Sequence, residues 1–474
     1  MPVAFPAVIH WFRRDLRISD NLALASAAGH GLPVVPVYVL SRWHGAHCWT
    51  GPKRQHFLCA CLESLDRSLR VLGGHLIIRQ GEPVDELLRL IRETGAVAVH
   101  FNADPDPFGK RVEQQLRTMC VALGVECHGH IDATLHGPDE VLNQSGQPYK
   151  VFTPFGRNWL ALPKPQPLAM PGLRFAQKPL ASLPLPTVKH WGWQIPTTHM
   201  LDPGEPAAQA RLQRALAGTI QTYASRRDLP AAEGTSRISQ DLRWGLLSIR
   251  TVYAAAIKAR STARAAGRAG IDAWIRQLAW REFYGSILHH FPNVLDEEFN
   301  SVWRGLSWDQ PGAGFEAWQQ GRTGFPIVDA GMRELLTTGF MHNRVRMISA
   351  MFLTKDLHID WKLGESHFMQ HLIDGDIASN NGGWQWSAGT GADAAPYFRI
   401  QNPWAQTARH DATGDYIRRW IPELATVHPA RFMQPPAGNQ PLAPGYPLPC
   451  VDHHTERTRT LAIFKRHRDL TSKA

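Results

Sequence analysis

The sequence predicts an α/β domain built on a doubly wound parallel sheet, then a proline-rich connector, then a larger all-α domain. Three observations predict it. Short apolar runs alternate with helical patterns over roughly the first 130 residues. Ten prolines fall between residues 161 and 206, and strand-like alternation nearly vanishes after residue 207.

AVIHWF, PVVPVYVL, HLIIRQG, AVAVHFN and VECHGH are short apolar runs and read as strands. Between them, RQHFLCACLESLDRSLRVLG, VDELLRLIRETG and KRVEQQLRTMCVALG carry helical periodicity, each ending at or near a glycine. Such alternation places helices on the faces of a parallel sheet. The first strand runs into WFRRDLRISDN instead of G-x-G-x-x-G, so a dinucleotide bound here has its pyrophosphate held elsewhere. Prolines remove donors and break helices, which makes 133–206 a long, mostly irregular connector. Beyond it, AWIRQLAWREFYGSILHHF, GMRELLTTGFMHNRVRMISAMFLTKDL and GESHFMQHLIDGDIASN are the clearest helical stretches. The expected domains are 1–132, 133–206 and 207–474.

A chain of 474 residues is long for one hydrophobic core, and its 43% apolar content suits a globular protein. No apolar run approaches the ~20 residues of a membrane helix. MPVAFPAVIHWFRRDLR lacks a cationic start followed by an apolar stretch and a cleavage site, so no secretory signal is expected. Cys48, Cys59, Cys61, Cys120, Cys127 and Cys450 form no CxxC and no Cys/His zinc spacing, so reduced thiols, no metal and a cytoplasmic location are expected. A net charge of +10 favours a polyanionic partner, either nucleic acid or an anionic membrane surface. Most of the seventeen tryptophans must pack, but those beside arginines can stack on bases or on a flat cofactor.

On a helix, Trp274, Gln277 and Arg281 share one face, with Trp280 about 60° round from Gln277. That face shows aromatic surface, an amide and a guanidinium, which core packing with a solvated arginine explains as well. In MHNRVRM, Asn343, Arg346 and Met347 group together, and Arg344 faces Met347, a mix that suits an anion and a flat ring or an ordinary exposed helix surface. LIDGDIASNN sets Asp374 and Asp376 around a glycine ahead of Asn380. Without a further carboxylate close in sequence, hydrogen bonding to hydroxyls or ring N–H groups fits better than Mg²⁺. EGTSRIS offers hydroxyls, backbone N–H groups and an arginine suited to phosphate, and is equally a helix-cap signature. There is no G-x-S-x-G, Walker loop or H-E-x-x-H, so an enzyme with this inventory takes its chemistry from a cofactor.

Taken in order, HWFRRDLRISDN, YKVFTPF, EGTSRIS, LAWREFYG, GFPIVDAGMR, MHNRVRM, LIDGDIASNNGGWQW and APYFRIQNP closely resemble the photolyase/cryptochrome flavoproteins over nearly the whole chain. The nearest likeness is to bacterial class I cyclobutane pyrimidine dimer photolyases. The resemblance implies an α/β antenna domain and a helical domain holding FAD, active when reduced. It implies that Tyr223, Thr235, Ser236, Arg237, Ile238 and Ser239 surround the FAD phosphates and ribityl chain. Trp274, Gln277 and Arg281 then line the flavin pocket, and Asn343, Arg346, Asp374, Asp376 and Asn380 surround the ring and ribose. By the same likeness Trp280 and Trp386 wall the flipped-out dimer together with Gln277, Asn343 and Met347. Trp384, Trp361 and Trp308 form an electron chain, although core packing explains the last two by themselves. Arg227, Arg344 and Gln406, with Trp280, address damaged DNA. The implied activity is light-driven dimer splitting by a monomeric, nucleoid-associated enzyme.

The chain also departs from that pattern. Gln277 stands where dimer photolyases usually carry glutamate, and an amide donates a hydrogen bond but cannot titrate, so less efficient splitting is expected. Glutamine is also similar to the (6-4) photolyases, but those carry histidines where this chain has Asn343 and Met347. FNADPDPFGKRVEQ lacks the Asn-Glu pair of the folate antenna site, which leaves folate, deazaflavin, a second flavin or no antenna open. The alternative function is a blue-light cryptochrome receptor, which the same flavin residues and tryptophan chain also serve.

Overall fold

The computed structural model describes residues 6–42, 44, 47–169, 172–177, 179–196, 201–438 and 440–471. They divide into two compact units. The first takes in residues up to Tyr149, then Thr153–Gln221 and Ser236–His290. The second comprises Lys150–Phe152, Thr222–Thr235 and Phe291–Ala474.

The first unit contains the sheet. β1 (Val8–Phe12), β2 (Val34–Leu40), β3 (Ile77–Gln80), β4 (Ala98–Asn102) and β5 (Glu126–His130) pair in parallel in the order β3-β2-β1-β4-β5. Every residue of β1, β2 and β4 is buried, as expected of strands covered on both faces. The edge strand β5 is partly exposed and correspondingly polar, ECHGH. Four helices alternate with the strands: α1 (Leu22–Gly29), α2 (Pro52–Val71), α3 (Pro83–Thr94) and α4 (Pro107–Leu123). Proline opens the last three, at the position where its missing N–H costs nothing. Gly95 and Gly124 close α3 and α4 in the left-handed conformation. The sequence reading misses α1. Its LALASAAG is rich in small residues and has no distinct polar face, and the Asn21 side chain fixes its start by accepting from Leu24 N at 3.1 Å.

Among its described residues the proline-rich stretch holds α5 (Phe152–Ala161) and a short 3₁₀ turn at Val188–Trp191, and the helix Glu205–Arg214 starts at its end. Two long helices complete the first unit, α6 (Ile249–Thr262) and α7 (Ala265–His290). A nearly solvent-free charge network ties α6 to the loops that follow β1 and β5. Arg17 meets Asp132 at 2.6 Å, and Arg250 reaches Asp132 at 2.7 Å and Asp20 at 2.9 Å. Thr251 adds a hydroxyl to Asp20 at 2.8 Å. Each buried charge is therefore paired and hydrogen-bonded, the condition under which burial is tolerated. Gly245 passes so close to the β1–α1 loop that a Cβ would stand 2.0 Å from Arg14 O, and its φ of +60° favours glycine.

The second unit is helical. α8 (Pro326–Thr338), α9 (Asn343–Met351), α10 (Trp361–His371) and α11 (Ile377–Ala388) pack around a core that includes Trp318, Trp361, Trp384, Trp404 and Tyr416. α12 (His453–Thr471) ends the described chain. Asp329 anchors α8, accepting from Thr323 N, Thr323 Oγ1, Gly324 N and the Tyr446 hydroxyl at 2.6–3.0 Å. Among the described residues no helix is long and apolar enough to cross a membrane. The six cysteines are free thiols.

Candidate functional site

In the first unit the site residues lie on α7 and on the loop before the five-residue helix Ser239–Arg243. The loop is irregular, and Arg237 holds φ +51°, uncommon for a side chain with a Cβ. Such strain persists where surrounding structure demands it and gathers at ligand sites. Ser236 is half-buried, Arg237 and Ser239 are exposed, and Ile238 is an apolar peg in the core. Trp274, buried on α7, donates its indole N–H to Ser236 Oγ at 3.1 Å and so fastens the loop to the helix. Gln277 is half-exposed one turn on, its Nε2 donating to Ala273 O at 3.2 Å. Trp280 is half-exposed and leans on Phe283 and Tyr284, with centroids 5.6 and 5.5 Å away. The Arg281 guanidinium is engaged by carbonyls, Ala133 O at 2.6 Å and Leu242 O at 3.4 Å.

Glu282, which the sequence reading did not single out, fixes α7 from below. It accepts from Leu135 N at 2.5 Å, His136 N at 3.3 Å and Trp159 Nε1 at 2.6 Å. Burial pushes its carboxyl up to about 7 in spite of those donors.

In the second unit the residues cluster on α9, α10 and α11. Asn343, Arg344, Arg346 and Met347 stand on the accessible side of α9, while Val345, Ile348 and Ser349 face the core. Arg346 meets Asp374 at 2.9 Å and Met341 O at 2.8 Å. Arg344 grips Asp228 Oδ1 through Nη2 at 2.8 Å and Nε at 3.2 Å. Burial works to raise the Asp228 pKa, but the Arg344 hydrogen bond and charge overcome it and hold the carboxyl low. Arg227 lies over the Tyr223 ring at 5.8 Å, and burial pushes that phenol up to about 12. Gln406 is half-buried on the Pro403–His410 helix, and Thr235 is half-buried at the edge of its loop.

α11 explains how GGWQW accommodates its tryptophans. Asp376 caps the helix, accepting from Ser379 N at 3.0 Å. Asp376, Asn380, Gly383 and Trp386 then form one half-exposed stripe, whereas Asn381, Trp384 and Gln385 point inward. At Gly383, outside its own helix turn, no atom of the described residues lies within 4 Å of where a Cβ would stand, so the missing side chain leaves an open shelf on the stripe. Asn380 Nδ2 donates to Glu365 O at 3.1 Å. The Glu365 carboxyl is itself pushed up to about 8 by burial.

Trp384 is 2% exposed and packs edge-on against Phe368, with centroids 4.9 Å apart, and against Trp318 at 6.0 Å. Its indole N–H has no partner among the described residues. It fits against α10 only because position 364 is glycine, where a Cβ would lie 2.1 Å from the indole. Trp361, one turn before Gly364, is fully buried and donates to Glu298 Oε1 at 3.2 Å. Trp308 is half-buried and packs against the same core. The structure thus gathers all three indoles around one core.

These donor sets fit a flavin nucleotide. The second unit offers a cation–carboxylate pair, an amide and a shelf without side chains, suited to the polar edge and flat face of a fused ring. The first unit offers hydroxyls and an open loop, suited to phosphate or ribityl oxygens.

Two family models match the chain: "DNA photolyase" over residues 8–172 and "FAD binding domain of DNA photolyase" over residues 274–466. The deoxyribodipyrimidine photo-lyase of Synechococcus sp. is 41% identical over 469 residues, 96% of each chain. That of Halobacterium salinarum is 40% identical, with 97% of this chain and 99% of the relative covered. Among solved structures, a bacterial class III photolyase from Agrobacterium tumefaciens superposes with a TM-score of 0.90 at 36% identity, over 99% of both chains. An archaeal photolyase from Sulfolobus tokodaii with two FAD molecules gives 0.84 at 29% identity, covering 97% of this chain and all of that one. A sequence so alike from end to end, and a fold so nearly superposable, lead to one conclusion: the chain belongs to the DNA photolyase family.

Proposed function

We propose that the chain is a deoxyribodipyrimidine photo-lyase that uses FAD and blue light to split cyclobutane pyrimidine dimers in DNA. The half-exposed stripe of α11, with Asn380, the Gly383 shelf and Trp386 in succession, is the observation that carries this reading. When bound, reduced FAD supplies the photo-excited electron that opens the cyclobutane ring and takes it back afterwards.

The side chains bind, orient and exclude water. Trp280 and Trp386 offer aromatic surface against which unstacked pyrimidines rest, and such stacking is worth about 1–3 kcal/mol per base. A dimer is already poorly stacked, so removing it from the helix costs less than removing a sound pair. Gln277 donates its amide hydrogen bond to a pyrimidine carbonyl, and Asn343 and Met347 offer the dimer a second amide and a polarisable sulfur. Arg227, Arg344 and Gln406 hold phosphates beside the lesion. Asn380, Arg346 and Asp374 address the polar edge of the flavin ring, Asp376 the ribose, and Trp274 and Arg281 brace the wall of α7. Tyr223, Thr235, Ser236, Arg237, Ile238 and Ser239 address the phosphates and ribityl chain. Trp384, Trp361 and Trp308 relay an electron inward from the surface by short hops. The reading includes a monomeric state and a cytoplasmic, nucleoid-associated location, and it leaves open whether the antenna is folate, deazaflavin, a second flavin or none.

Illumination of the reduced, purified protein with oligonucleotides carrying either a cyclobutane dimer or a (6-4) lesion tests the proposal. Release of monomers from the cyclobutane substrate is expected. Repair of the (6-4) lesion alone overturns the substrate assignment, and repair of neither favours a light receptor.

A further inference from the structure

Two consecutive histidines and a carboxylate converge at the C-terminal end of α7. Asp139 Oδ1 lies 3.6 Å from His289 Nε2 and 3.8 Å from His290 Nε2. One ligand atom from each of the three residues lies within 4.8 Å of the other two. A tetrahedral zinc ion with bonds of about 2.0–2.1 Å sets its ligand atoms roughly 3.3–3.4 Å apart. The two separations to Asp139 therefore need to close by only a few tenths of an ångström. His290 Nε2 donates to Pro138 O at 3.1 Å, and its proton passes to Nδ1 when Nε2 takes an ion, which leaves the carbonyl oxygen at the same spot. α7 is 26 residues long, and its last turn presents the negative end of the helix dipole, which favours a cation there. Asp139 is exposed and both histidines are half-exposed, so an ion has a path in.

We propose that Asp139, His289 and His290 bind one divalent first-row transition ion, with zinc favoured by the imidazole and carboxylate ligands and their tetrahedral spacing. The ion staples the loop around residue 139 to the end of α7. None of the three residues has a part in the flavin or dimer reading above, so the site stands or falls independently of it.

Lys110 is the built-in competitor. Its ammonium donates to His289 Nδ1. An imidazole that ligates a metal through Nε2 carries its proton on Nδ1, so Lys110 must turn away before the ion enters. Loss of the ammonium therefore favours the ion.

Zinc is titrated into the untagged, full-length, FAD-loaded protein in competition with a chromophoric chelator. The wild type is expected to take up one zinc that the His289→Ala/His290→Ala double variant does not. Asp139→Asn, a change at an exposed position, is expected to weaken uptake at least ~10-fold, and Lys110→Met to tighten it. Flavin absorbance and circular dichroism matching the wild type establish that each variant is folded, and Asp139→Asn and Lys110→Met decide the matter if the double variant is not. The proposal is overturned if the wild type shows no site with Kd below about 100 μM. It is equally overturned if uptake is unchanged in the folded double variant or in Asp139→Asn, or if Lys110→Met weakens it.

Discussion

At Gln277 one atom separates the side chain from a group that can titrate. The amide is accessible, with its Nε2 turned to Ala273 O, and it can offer a substrate only a neutral hydrogen bond. A carboxyl in its place gives the reacting pyrimidine a charge-sensitive partner and a proton source. Gln277→Glu is expected to raise the quantum yield of dimer splitting by roughly twofold, corresponding to about 0.5 kcal/mol between a neutral and a stronger hydrogen bond. Monomer release per absorbed photon checks this, and an unchanged or lower yield sinks it. At this scale the sequence told which residues are unusual but not what they grip. Arg344 stands out in MHNRVRM, yet its partner Asp228 lies 116 positions away and has no local signature. Trp318 and Glu365 were missed for the same reason. A tryptophan and a glutamate in ordinary helical patterns become interesting only when the fold sets one beside Trp384 and the other beneath Asn380.

Among elements, the contact of α10 with α11 bears most directly on the electron route. Gly364 lets the Trp384 ring lie against the α10 backbone, and a Cβ there would also meet Leu353 at 2.6 Å. Gly364→Ala is expected to cost about 1–3 kcal/mol through overpacking, read as a lower midpoint in denaturant. It is also expected to slow photoreduction of oxidised FAD by displacing Trp384. A midpoint and a photoreduction rate both equal to wild type would show that the indole does not rest on α10. The strands of the sheet were legible because burial on both faces writes continuous apolar runs such as PVVPVYVL, and α3 because its stripe is strongly amphipathic. α1 was illegible because alanine and serine give no stripe, and its start depends on the single Asn21 cap. The order inside the proline-rich stretch was hidden too, since α5 shows its helical face only through Phe155 and Trp159, which the core receives.

The molecule as a whole carries a charge of +10, and its affinity for DNA is expected to fall as salt rises. Two phosphate contacts, from Arg227 and Arg344, contribute a slope of about −1.8 in log K against log salt. Arg344→Ala is expected to weaken binding to damaged and undamaged duplex alike and to flatten that slope by about 1. Asp228→Asn, which releases the guanidinium from its ion pair, is expected to strengthen binding. Affinities measured over a series of salt concentrations check both, and an unchanged slope in Arg344→Ala removes that residue from the phosphate contacts.

The charge network of Arg17, Asp20, Asp132 and Arg250 joins positions more than two hundred residues apart within one compact unit. During translation the sheet strands emerge first, with two burial-bound carboxylates and no Arg250 to meet them. The nascent chain must therefore wait, tethered and unlocked, until α6 has left the ribosome. A fragment cut short of that point keeps Arg17 for Asp132 but leaves Asp20 without its guanidinium.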